Sequence, residues 1–122
     1  MEKRILHLSV VWISRHPLLP EQEEDLVKKL QEEFSTPIEV RITTRNITWS
    51  ASSDEDADQE NNLLIWRELE DYHVVCGVFP PVALESKPSD IEVLTPISFQ
   101  DPSRRIGNQP IPFIHARWAW IR

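Results

Sequence analysis

Residues 14–17, Ser14-Arg15-His16-Pro17, place a hydroxyl, a guanidinium and an imidazole side by side directly after an apolar run at residues 5–13. Each group has a chemical use. A guanidinium can grip a phosphate or carboxylate through two parallel hydrogen bonds. An imidazole exchanges protons near neutral pH, and a serine hydroxyl both donates and accepts. A polar turn that follows a buried strand aims these groups at whatever lies beyond the strand's carboxyl end, the usual ligand position in open α/β sheets. The stretch that comes next, Pro20-Glu21-Gln22-Glu23, opens a helix, since proline suits a first helical turn and acids favour the positive end of the helix dipole.

The other reactive side chains are less informative. Cys76 is the single cysteine and sits in an apolar stretch, so it reads as a small buried hydrophobe whose thiolate is disfavoured. Four histidines scattered without an i, i+4 pair give no zinc-binding pattern. There is no GxGxxG, no GxxxxGK[ST] and no glycine-flanked serine, which argues against dinucleotide binding, a nucleoside-triphosphate phosphate loop and a hydrolase nucleophile elbow. His7 reads as a core or interface histidine, His73 as exposed, and His115 as the anchor of a strand or dimer contact. Plain structural roles compete at the turn itself: Arg15 could pair with Glu21 or Glu24, and His16 could cap the following helix.

Composition bounds the function classes. The 122 residues suit one domain, residues 1–122, with 40% apolar and 27% charged residues, enough for a core and unlike a disordered chain. The net charge of −7 argues against binding long nucleic acid, which needs a broad basic surface. Charge is unevenly spread: residues 51–72 hold eight acids against Arg67, whereas Arg104, Arg105, Arg117 and Arg122 stand against Asp101 near the end. A small anionic ligand held locally by arginine is compatible with that pattern. The apolar run after Met1-Glu2-Lys3-Arg4 is too short to span a membrane and lacks a small-residue cleavage site, so a soluble cytoplasmic protein is expected.

The elements that must position the turn follow from periodicity. Residues 4–13 read as a buried strand and 20–34 as a helix, with Leu26, Leu30 and Phe34 on one face. Residues 38–49 alternate Ile38, Val40 and Ile42 with Glu39, Arg41 and Thr43, as a half-buried strand does. Residues 50–54 read as a loop and cap before a second helix that uses Leu63, Leu64, Trp66 and Leu69, and the acidic residues 54–60 as its solvated start. A central strand at 73–79 meets Pro80-Pro81, and a short helix follows at 82–87. A strand at 91–99 and a last one at 113–121, with Trp118 and Trp120 on one face, flank a polar loop at 100–112 long enough to be functional. This order predicts an α/β domain with a mainly parallel central sheet, flanking helices and a C-terminal β-hairpin. The turns after the first and third strands then share one sheet edge.

Three blocks resemble a known group. Arg4-Ile5-Leu6-His7-Leu8 through Ser14-Arg15-His16-Pro17 and Pro20-Glu21-Gln22, then Val74-Val75-Cys76-Gly77-Val78-Phe79-Pro80, then Phe113-Ile114-His115-Ala116-Arg117-Trp118, together resemble the small CRISPR-associated accessory proteins of the ring-nuclease kind. The blocks cover about a third of the chain; the 100–112 loop and the paired prolines have no counterpart in the pattern. The resemblance implies a Rossmann-like homodimer, its ligand lying across the two-fold axis, that binds or cleaves a cyclic oligoadenylate in type III antiviral signalling, with no cofactor and no metal. It further implies Ser14, Arg15 and His16 as catalytic residues: Arg15 on a phosphate, His16 as general acid or base, and Ser14 as a phosphate donor. Gly77, Phe79, Pro80, Arg104 and Arg105 are the implied ligand contacts, with Gly77 allowing close backbone approach, Phe79 packing on an adenine, and the arginines closing from the long loop. Two other readings stay open: a binding sensor or sponge of the same fold that does not cut, and a non-enzymatic oligomer built on Trp118 and Trp120.

Overall fold

The first apolar run forms β1 (Leu6–Ile13), and α1 (Pro20–Gln31), β2 (Ile38–Arg45), α2 (Glu55–Glu68), β3 (Val74–Gly77), α3 (Pro81–Glu85) and β4 (Val93–Gln100) follow it. The short β5 (Arg105–Ile106) and β6 (Gln109–Pro110) precede β7 (Phe113–Trp120). The structure is a computed structural model that describes residues 4–101, 103, 105–110 and 113–122. Its main sheet is ordered β2-β1-β3-β4-β7, and only β7 runs antiparallel, beside β4. The expected α/β fold, mainly parallel with a C-terminal antiparallel pair, is what the chain adopts. Among the described residues no helix is long and apolar enough to cross a membrane.

From Val10 to Ile13, where β1 lies between two parallel neighbours, both of its faces are buried, as such a position requires. Leu8, Val10 and Trp12 face α1, packing with Leu26, Leu30, Cys76, Leu94 and Trp118. Val11 and Ile13 face the other way, with Trp66 and Leu69 at the end of α2, Val75, Phe79 and Ile91. The helix after β1 therefore covers one face and the helices after β2 and β3 the other, and the strand order reverses between β1 and β3.

Several element ends differ from the periodicity, each for a local reason. α1 stops at Gln31, whose amide donates to the Phe34 and Thr36 carbonyls and whose oxygen accepts from Ile38 N–H, closing a tight turn into β2. β2 ends at Arg45 because the chain then turns inward, setting Trp49 against Trp66 with ring centroids 4.8 Å apart. Residues 100–112 are not a plain loop but carry the β5–β6 hairpin, turned by Gly107 at φ 64°, a conformation glycine adopts without strain. Trp118 is 1% exposed, its ring edge-on to Trp12 at 5.7 Å, so it belongs to the core and offers no surface for an oligomer.

The acidic segment also departs from expectation. Asp54 caps α2 by accepting from Ala57 N–H at 3.2 Å, but Asp58 is buried rather than solvated. It accepts from the Ser50 hydroxyl at 2.7 Å, the Ser52 hydroxyl at 2.8 Å and the Ser52 N–H at 2.8 Å. Asn62, also buried, accepts from Ser50 N–H at 2.7 Å and donates to its carbonyl at 3.0 Å. The Ser50 hydroxyl foremost, with the Ser52 donors, holds the Asp58 carboxyl below its ordinary pKa against the opposing effect of burial.

A group with a depressed folded pKa stabilises the fold above its unfolded value, near 3.9 for aspartate, and that stabilisation disappears as pH falls through the folded value. Thermal melts of the wild type are expected to lose stability on acidification below about pH 4. Asp58→Asn should be less stable at neutral pH and show a shallower acid slope; equal slopes for the two would exclude Asp58 as a contributor.

Candidate functional site

The reversal between β1 and β3 puts residues 14–17 and 78–80 side by side at the carboxyl edge of the sheet. Ile13 and Gly77 are register partners, and Ser14 N–H continues the ladder on the other side by donating to the Arg45 carbonyl at 2.9 Å. The turn after β1 is braced from beneath. Trp12, buried on the α1 face, donates its indole N–H to the His16 carbonyl at 2.9 Å, and His16 N–H donates to Ser14 Oγ at 3.2 Å. Ser14 Oγ thus accepts from within the turn, leaving its own proton to donate outward. Arg15 and His16 are exposed, and neither side chain has a hydrogen-bond or ion-pair partner among the described residues. Arg15 therefore makes no bridge to Glu21 or Glu24, and the His16 ring caps nothing.

The turn leads into α1 through Leu19, whose N–H donates to Gln22 Oε1 at 3.0 Å. Glu21 and Glu23 already occupy the first turn of that helix, so an anion at this edge relies on Arg15, Ser14 and His16 rather than on the helix dipole. Two further residues share the edge. Arg45 ends β2 beside Ile13 and lies 4.0 Å from Glu68; parallel register places it there, which its sequence position alone could not show. Val78 is 71% exposed, an apolar side chain on the open side of the turn after β3.

The sequence-based contacts in that second turn take different roles. Phe79 is buried, stacked on Trp66 with centroids 5.4 Å apart and edge-on to Trp49 at 5.9 Å. Its ring is used in the core and Val78, not Phe79, faces outward, because alternate residues leaving a strand point to opposite faces. A Cβ on Gly77 would meet Ile13 Cβ at 3.3 Å, the Phe79 ring at 3.3 Å and the Ile13 carbonyl at 3.4 Å. Glycine at 77 thus allows β3 to lie close to β1 and Phe79. Pro80 is half-buried and precedes α3, setting the direction in which the chain leaves the edge.

The long loop carries the two arginines expected to close over the turns. Arg104 lies outside the described residues. Arg105 is exposed on the separate β5–β6 hairpin, with no bond to residues 14–17 or 77–80 among the described residues. β3 pairs with β4 at Val75 and Cys76 only, so residues 96–100 continue, paired with β7 alone, about 17 Å beyond the edge at ~3.3 Å per residue.

The histidines elsewhere are accounted for locally. His115 is an intrachain anchor, its Nε2 2.9 Å from Asp25 on α1. His7 is exposed and 3.6 Å from Glu39, not a core residue, and His73 Nδ1 accepts from Ser9 N–H at 2.9 Å. Cys76 is buried, and the loss of solvent pushes its thiol pKa well up. Hollows of about 480 Å³, walled by Leu6, Leu30, Phe34 and Trp120, and of about 400 Å³, beside His7, Ser9 and Arg41, lie at the opposite, amino edge of the sheet.

No protein-family model matches this chain, and neither the curated proteins nor the solved structures show a match to it.

Trp12→Phe keeps an aromatic ring against Trp118 while removing the donor to His16. A loss of about 1 kcal/mol is expected, together with faster amide hydrogen exchange across residues 14–19. Unchanged exchange in that segment would show that the indole does not brace the turn.

Proposed function

We propose that the protein binds a cyclic oligoadenylate at the carboxyl edge between β1 and β3 and opens it as a ring nuclease. The observation that carries this reading is the braced turn where the strand order reverses, which presents the Arg15 guanidinium, unpartnered among the described residues, the His16 imidazole and the Ser14 hydroxyl together. A phosphodiester matches that set: Arg15 grips two non-bridging oxygens, and Ser14 donates to one of them. Val78 supplies apolar contact for a base.

In the cleavage step the ribose 2′-oxygen attacks the adjacent phosphorus and the bond to the 5′-oxygen of the next nucleotide breaks, leaving a 2′,3′-cyclic phosphate. The 2′-hydroxyl loses a proton and the departing oxygen gains one. His16 serves one of these transfers, and Arg15 holds the charge that grows on the phosphate. Alignment of the attacking and leaving oxygens supplies the rest. The resemblance of the three sequence blocks to type III CRISPR accessory proteins supports the nucleotide class, and the acidic net charge of −7 fits a short ligand better than a long nucleic acid.

A second reading, binding without cleavage, is favoured by one observation: among the described residues no side chain orients the His16 ring, whereas catalytic imidazoles are held in a defined tautomer by a partner. Incubation with cyclic tri-, tetra- and hexa-adenylate without added metal separates the two. Cleavage is expected, reduced about 10²-fold or more in His16→Ala, with binding weakened about tenfold or more in Arg15→Ala. Ligand retained intact over time selects the binding reading. Cleavage that survives both substitutions removes the turn from the mechanism, and failure to bind any of the rings removes the nucleotide.

A further inference from the structure

We propose that the protein forms a two-fold dimer in which β2 pairs antiparallel with β2 of a second copy, centred on Val40 opposite Val40. The proposal rests on the edge strand and is independent of the nucleotide reading. β2 ends the sheet, so among the described residues no strand lies on its outer side. Leu6 N–H bonds the Pro37 carbonyl and Ser14 N–H the Arg45 carbonyl; alternate residues from Pro37 to Arg45 therefore turn their backbone groups toward β1. Those of Val40, Ile42 and Thr44 turn outward, as does the Ile38 carbonyl, while Ile38 N–H is taken by Gln31 Oε1 at 3.1 Å. An exposed row of backbone donors and acceptors is a template for another strand.

A two-fold axis perpendicular to the sheet sets residues of the same face opposite each other. With the axis at Val40, Ile38 lies opposite Ile42 of the second copy, and Glu39 opposite its Arg41. All three half-buried apolar residues of the α1 face then meet apolar partners and extend a core they already border. On the other face both charges find opposite charges, twice per dimer. Val40 exchanges both its backbone bonds with its symmetry mate, and Ile42 N–H reaches the Ile38 carbonyl. Glu39 and Arg41 fall in the closer, non-hydrogen-bonded pairs, where side-chain contact is strongest.

Neighbouring registers are worse. Centring on Glu39 or on Arg41 sets like charges opposite each other at the axis. Centring on Ile42 sets Val40 opposite Thr44 and asks Arg45, already beside Glu68, to meet Glu39. The other sheet edge, β7, offers Arg117 but no acid within Phe113–Trp120, so it lacks this self-complementarity. Arg41 is exposed and has no ion-pair partner among the described residues; the second copy supplies one. Antiparallel pairing points the two carboxyl edges in opposite directions, so each protomer keeps its own site and no ligand spans the axis.

Sedimentation equilibrium on the full chain tests this with charge reversal. The wild type is expected to be dimeric, and Glu39→Arg or Arg41→Glu, which set like charges opposite, should each weaken the dimer about tenfold or more. The double variant Glu39→Arg/Arg41→Glu recreates opposite pairs and should restore it. Circular dichroism confirms folding of each variant, since both positions are exposed. A monomeric wild type, a dimer indifferent to the single reversals, or a double variant that stays monomeric would each overturn the proposal. Cyclic oligoadenylate binding measured on the same variants reports separately on the carboxyl edge.

Discussion

The structure depends on β1 being paired in parallel on both sides. Over Val10–Ile13 it is paired on both sides and buried on both faces, and Val10 and Val11 are fully buried on opposite faces of the sheet. Parallel neighbours demand crossover connections, and right-handed crossovers leading away from β1 in opposite directions must cover opposite faces. α1 and the pair α2 and α3 are distributed in this way. The meeting of the turns after β1 and β3 at one edge of the sheet is thus a consequence of core burial.

Four indole N–H groups tie that core to the segments around it. Trp12 donates to His16, Trp66 to the Ala83 carbonyl, Trp118 to the Gln22 carbonyl and Trp120 to Glu33. Each ring buries a large apolar surface while its polar tip fixes a loop or helix end. Two of these bonds, from Trp12 and Trp118, hold the start and finish of the path from residue 14 into α1. Trp49 is different: among the described residues its buried Nε1 has no partner, and it contributes through its packing on Trp66 and Phe79. The polar surface of the edge is thus carried on aromatic packing below it.

Much of this was legible in the residues. The alternation in β2, the spacing of Leu26 and Leu30, the Pro80-Pro81 stop and the burial of Cys76 all follow from local periodicity or chemistry, which tertiary packing then reinforces. Phe79 and Asp58 were not legible. An aromatic residue beside a proline turn looks the same in sequence whether it faces solvent or core. An aspartate in an acidic run looks solvated until Ser50 and Ser52 fold back onto it. His115 likewise needed Asp25, ninety positions away, to define its role.

Residue order by itself determined the succession of strands and helices and the presence of a polar turn after β1, because hydrophobic period, proline and capping chemistry act over a few neighbours. Only the tertiary structure decided which groups share the edge. Arg45 arrives there through parallel register, and Val78 replaces Phe79 at the surface through strand alternation. Those outcomes depend on pairing between distant segments, where a shift of one residue exchanges inside for outside, and no local pattern encodes that choice.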